Sequence, residues 1–119
     1  MSSLNTFGAI MTFAIELETQ LRDYYQAAGD ADRARDADKR RITLERVRRE
    51  NVTEIKLEPI EGLDENNYTL ILTDTSDAGK KSVEQSAARF YVEVAPHINV
   101  REAQRALERC GKQHTENVG

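Results

Sequence analysis

On two helical segments of this 119-residue chain a glutamate stands seven residues ahead of a tyrosine: Glu18 before Tyr25 in ETQLRDYY, and Glu84 before Tyr91 in EQSAARFY. Seven residues make two helical turns, so on helices each carboxylate shares a face with its phenol. Two carboxylates and an imidazole are oxygen and nitrogen donors that suit iron or manganese. His114 is the histidine placed to join them, and a mononuclear site from Glu18, Glu84 and His114 is one reading of the set. His97 stands beside Pro96 in a turn and reads as exposed. The plainer reading makes Glu18 a rim glutamate paired with Arg48, Tyr25 and Tyr91 core aromatics, and His114 a hydrogen-bonded core or interface residue. Other chemistries lack their signatures: there is no Gly-rich phosphate loop, Ser-His-Asp arrangement or CxxC zinc spacing. Cys110 reads as a small buried apolar residue.

These residues need helices to position them. Phe7, Ile10, Ala14, Leu17, Leu21, Tyr24 and Ala28 recur at spacings of three and four and predict helix 1 over about 5–28. Asn5 or Thr6 caps its start and Gly29 stops it. Asp30 caps helix 2, about 31–57, whose charged opening DADRARDADKRR has almost no apolar face and is expected to project into solvent. Its core face is expected to begin at Leu44, with Val47, Asn51 and Ile55 in register. Residues 58–76 form a connector. Within it Tyr68, Leu70 and Leu72 alternate as in a strand, but a strand would have no partner here, so these side chains are expected to lie across the bundle. Asp64 is placed to open a helical turn in it. Ser76 or Asp77 opens helix 3, about 77–95, striped by Val83, Ala87, Phe90 and Val94. Asn99 and Glu102 form a capping-box-like start to helix 4, about 99–116, striped by Ala103, Leu107, Cys110 and His114. Short links join helices 1–2 and 3–4 and a long one joins helices 2–3, which predicts an all-α four-helix bundle with one crossover.

The bulk composition agrees with one helical domain. Charged residues make up 32% of the chain, and only two prolines and six glycines interrupt it. A net charge of −4 argues against a nucleic-acid surface. The run Arg33–Arg49 alternates basic with acidic residues and reads as a solvated face. A single cysteine cannot form an internal disulfide. The N-terminal stretch lacks the marks of a signal peptide, and no apolar run reaches membrane-spanning length. The expectation is a soluble cytoplasmic protein.

The pattern is also duplicated. Glu-x6-Tyr occurs in helices 1 and 3, while LERVRREN (Leu44–Asn51) in helix 2 parallels LERCGKQH (Leu107–His114) in helix 4. On these segments the chain resembles the ferritin-like superfamily, and in particular its rubrerythrin-type members. The resemblance covers most of residues 5–118 outside the connector. It implies a di-metal carboxylate bundle, in which two helices each give one Glu and the other two each give Glu-x-x-His. It maps Glu18 and Glu84 onto ligand positions, with Tyr25 and Tyr91 packed beside the site. The chain departs from the pattern elsewhere. The repeat aligns Arg48-Arg49-Glu50-Asn51 and Gly111-Lys112-Gln113-His114 with the two Glu-x-x-His motifs. Slipping helix 2 by two residues recovers Glu50 as a ligand but offers Thr53 in place of histidine. At most four ligands remain, Glu18, Glu84, His114 and Glu50, with Arg48 and Asn51 beside them.

The expectation is a ferritin-like bundle without a cofactor, acting as a non-catalytic binding, structural or accessory subunit. In it Arg48 neutralises the two glutamates in place of a metal. The alternative is a di-iron (or manganese) ferroxidase or peroxide-reducing protein that completes its site across a subunit interface. Either is expected to form a homodimer or larger assembly, with room for a protein partner and none for nucleic acid or membrane.

Overall fold

The computed structural model describes residues 4, 6–51, 65–98 and 100–118. They form four helices, α1 (Phe7–Ala27), α2 (Ala31–Asn51), α3 (Asp77–Val94) and α4 (Arg101–Val118), with short 3-10 turns at Glu65–Tyr68 and Ala95–His97. No strand occurs among the described residues. None of the described helices is long and apolar enough to cross a membrane.

Local chemistry sets the helix ends. The Thr6 hydroxyl accepts the Ala9 amide at 3.0 Å and caps α1. At the other end Gly29 takes φ 79°, a left-handed conformation costly for residues with a Cβ. The Gly29 amide then donates to Gln26 and the Asp30 amide to Tyr25, at 3.2 and 2.9 Å, closing a Schellman motif. Asp30 immediately serves α2, its carboxylate accepting the Arg33 amide at 3.2 Å. Ser76 caps α3 by accepting the Gly79 amide. The expected cap Asn99 lies outside the described residues, as do Asp64 and the proposed continuation of helix 2 through Ile55.

The apolar stripes meet in one core. Ile10, Ala14, Leu17 and Leu21 of α1 pack with Leu44 and Val47 of α2, Val83, Ala87, Phe90 and Val94 of α3, and Ala103 and Leu107 of α4. The opening turns of α2 do not project into solvent. Ala34, Ala37 and Arg40 are buried, so the inward face begins well before Leu44. Two alanines and an arginine escape a search for large apolar residues. The small side chains still let helices approach closely, and the arginine is held inside by a carboxylate.

The helices contact in the ring order α1–α2–α4–α3. Every neighbouring pair is antiparallel, as cross-helix bonds record. Glu18 meets Arg40 while Tyr25 meets Arg33 across α1 and α2. Glu18 meets Tyr91 while Tyr25 meets Glu84 across α1 and α3. Arg40 meets Gln113 while Arg33 meets Asn117 across α2 and α4. Gln104 reaches Ala95 while His114 reaches Glu84 across α4 and α3. The diagonal helices α2 and α3 therefore run in the same direction.

The described part of the connector lies against α1 and α3. Tyr68 is buried, its ring 5.3 Å from Phe90 and 6.4 Å from Phe13, and its hydroxyl donates to Glu93 at 2.6 Å. Leu70 packs partly against the core, whereas Ile71 and Leu72 are exposed. Farther along, the Tyr24 hydroxyl donates to the Asp74 carbonyl.

Candidate functional site

Three charged side chains and one imidazole are buried among the described residues, and they sit together: Glu18, Arg40, Glu84 and His114. Each comes from a different helix. Glu18 lies one residue from Leu17 on the inner face of α1, and Glu84 one residue from Val83 on α3. His114 continues the stripe Leu107–Cys110 on α4. Arg40 continues Leu44–Val47 backward along α2, at the same three-and-four spacing.

The imidazole of His114 lies between the two carboxylates. Its Nδ1 is 2.5 Å from Glu84 Oε2 and its Nε2 is 2.8 Å from Glu18 Oε2. Tyr25 donates its hydroxyl to Glu84 Oε1 at 2.6 Å, and Tyr91 donates to Glu18 Oε2 at 2.5 Å. Arg40 Nε donates to Glu18 Oε1 at 2.8 Å, and its Nη1 donates to Gln113 Oε1 at 3.0 Å. Tyr91 also stacks on the His114 ring, 5.6 Å between centroids and 9° from parallel. Around this layer, Arg33 reaches the Tyr25 hydroxyl at 3.4 Å.

Both imidazole nitrogens face carboxylate oxygens, an arrangement that calls for a proton on each. Burial by itself would lower the pKa of His114, but the Glu18 charge and hydrogen bonds to both glutamates outweigh it and raise the pKa. Burial would raise Glu18, yet His114, Arg40 and the Tyr91 hydroxyl hold its carboxyl below the usual range. Burial opposes Glu84 in the same way, and His114 and Tyr25 bring it down. The cluster is thus two carboxylates balanced by one imidazolium and one guanidinium. The tyrosines remain neutral donors: burial and Glu18 push Tyr91 well up, and burial and Glu84 raise Tyr25. Burial pushes the Cys110 thiol up to about 12, so it is no thiolate nucleophile near neutral pH.

These donors do not fit the di-metal centre that the resemblance implies. The two nitrogens of one imidazole point away from each other, each to a different carboxylate, so the three side chains do not converge on a common point. A guanidinium occupies the space beside Glu18 where a cation would compete for the same oxygen. Among the described residues no group of three or more His, Cys, Asp or Glu side chains is arranged to hold an ion.

The expected site residues divide accordingly. Glu18, Glu84, His114, Tyr25 and Tyr91 come together. Glu50 and Arg48 are exposed at the far end of α2, and Asn51 bonds back to the Val47 carbonyl at 2.8 Å. The guanidinium on Glu18 belongs to Arg40, not Arg48. The repeat alignment pairs Asn51 with His114, whereas the structural counterpart of His114 is Arg40. The two differ by eleven residues, close to three helical turns, which preserves the face and changes only the depth. Extending the Leu44–Val47 stripe back by four residues reaches Arg40. Gln113 and Arg33 carried no comparable sequence signal.

Gly111 explains how α4 brings His114 so deep. A Cβ there would lie 2.9 Å from the Tyr91 Cβ, so only glycine allows this approach of α4 to α3 without a shift.

Compared with protein-family models, curated proteins and solved structures, the chain matches none.

Proposed function

We propose that this chain is a ferritin-like bundle in which a closed ion network stands where relatives of that design hold metal, and that it acts as a non-catalytic binding, structural or accessory subunit. One observation carries the reading: His114 gives both of its nitrogens to Glu18 and Glu84, the two residues that would otherwise be metal ligands. Arg40 supplies the remaining positive charge, and each glutamate has a tyrosine donor. The parallel course of α2 and α3 supports a link travelling the length of the bundle, as the crossover design requires. The exchange of charge is simple in physical terms: an anionic pair that a cation would stabilise is stabilised by a guanidinium and an imidazolium.

The test is elemental analysis of protein produced with excess iron, and again with excess manganese. Near-zero metal per chain is expected. About two irons per site, with spectral bands lost in Glu18→Gln, would establish the di-iron alternative. The reading also carries self-association. Val92 and Ile71, 64% and 61% exposed, are apolar side chains available to be covered. Sedimentation equilibrium should give a mass of two or more chains, and a monomer at all concentrations would remove this part.

A further inference from the structure

Arg40 has more to offer than the cluster uses. It is 5% exposed, its Nε is given to Glu18 and its Nη1 to Gln113, while Nη2 has no partner among the described residues. No buried side-chain nitrogen or oxygen among them is left without a hydrogen bond, so Nη2 reaches accessible surface. The surface that Arg40 lines is a groove of about 370 Å³ between α2 and α4. Lys39 and Arg109 stand on its rim, together with Asp36 and Glu116. A guanidinium held rigidly at the floor of a small groove, with one amino group unpaired, is a preorganised donor for an oxyanion.

We propose that the α2/α4 groove binds a small organic anion, whose carboxylate or phosphate accepts from Arg40 Nη2 and is flanked by Lys39 and Arg109. The volume is at the low end of small-molecule sites and suits a metabolite rather than a polymer. Glu18 already fixes one edge of the guanidinium, so the arginine needs little reordering to bind. Gln113, the other partner, belongs to an exposed residue and can turn aside to open Nη1 as well. Asp36 and Glu116 favour an anion that also carries a positive or hydrogen-bond-donating group over a polyanion. The site rests on Arg40 being an organic cation of the cluster, and so on the reading proposed above.

The experiment is a nitrogen-15 NMR titration of the full chain with phosphoethanolamine in one series and β-alanine in another. Saturating shifts at the Arg40 side-chain Nε–H and the backbone amides of Thr43 and Gln113 are expected with one of the two, which identifies the head group. The Lys39→Gln/Arg109→Gln variant should keep the circular dichroism spectrum and melting temperature while weakening that binding by about tenfold or more. Shifts that grow in proportion to concentration for both anions would overturn the site, as would saturating shifts that survive the double substitution. Neither rim residue touches Glu18, Glu84 or His114, so failure of the titration leaves the metal analysis to judge the cluster separately.

Discussion

The two halves of the buried cluster obey different rules. Across α1 and α3 it is symmetric: each glutamate takes the tyrosine of the other helix, Tyr25 on Glu84 and Tyr91 on Glu18. Across α2 and α4 it is not: Glu18 takes an arginine and Glu84 a histidine, and that histidine then bridges to Glu18 as well. The repeat survives where a neutral phenol meets a carboxylate. It has diverged where the balancing positive charge must come from. Glu18 consequently answers to three donors of three kinds, and Glu84 to two.

The sharpest way to break this comparison is to delete each glutamate. Glu18→Leu takes from Arg40 the only carboxylate it bonds among the described residues, and one of two from His114, and is expected to lower unfolding free energy by about 3–5 kcal/mol, the usual cost of removing one partner from a buried ion pair. Glu84→Leu should cost measurably less, because Arg40 keeps Glu18. Equal losses in urea denaturation would mean that the asymmetry has no energetic weight.

The next effect is one of pH. The His114 pKa is raised from 6.5, so its contribution is fully present below about 6.5 and is lost as pH climbs through the raised value. The pKa values of Glu18 and Glu84 are lowered from 4.5, so their contributions are present above about 4.5 and are lost as pH falls through the lowered values. Stability should therefore be greatest between those limits and fall on both sides. The alkaline fall should vanish in His114→Gln, as followed by melting temperature against pH.

The symmetric half can be tested with Tyr25→Phe and Tyr91→Phe. Each removes a hydrogen bond to a buried carboxylate and is expected to cost about 1.5–3 kcal/mol. Both variants keep the ring in place, so a clear inequality, with Tyr91 the costlier, would show that the hydroxyl sharing Glu18 Oε2 with His114 carries more weight than the one on Glu84. The smallest effects compare two glycines. Gly111→Ala drives a Cβ against Tyr91 and should cost about 1–3 kcal/mol. Gly8→Ala meets nothing within 4 Å and should stabilise α1 by up to about 1 kcal/mol. Thermal melts of the pair distinguish a packing constraint from mere helix propensity.

Much of this architecture was written in the spacing of residues. The stripe of α1 and its stop at Gly29, the Ser76 cap, and the stripes of α3 and α4 follow from local chemistry, and the helix periods put Glu18, Glu84 and His114 on inward faces. Depth along a helix is harder to read. Periodicity repeats every three to four residues and is blind to a shift of whole turns, which is why the repeat aligns Asn51 rather than Arg40 with His114. The opening of α2 was obscured for a second reason: alanines and arginine score as surface, and only a carboxylate on another helix makes that arginine a core residue. No local pattern reveals such a pairing.

The crossed tyrosines also act as a vernier. A bundle core of Leu, Val and Ala offers nearly equivalent packing when one helix slides a turn past its neighbour. Here a slide of α1 against α3 by one turn, about 5.4 Å, would separate both hydroxyls from both carboxylates at once and bring Glu18 opposite apolar side chains. The wrong alignment then leaves both buried carboxylates short of a hydrogen-bond donor instead of merely giving a slightly poorer fit. Two short polar contacts thus convert a sliding interface into one with a single allowed notch.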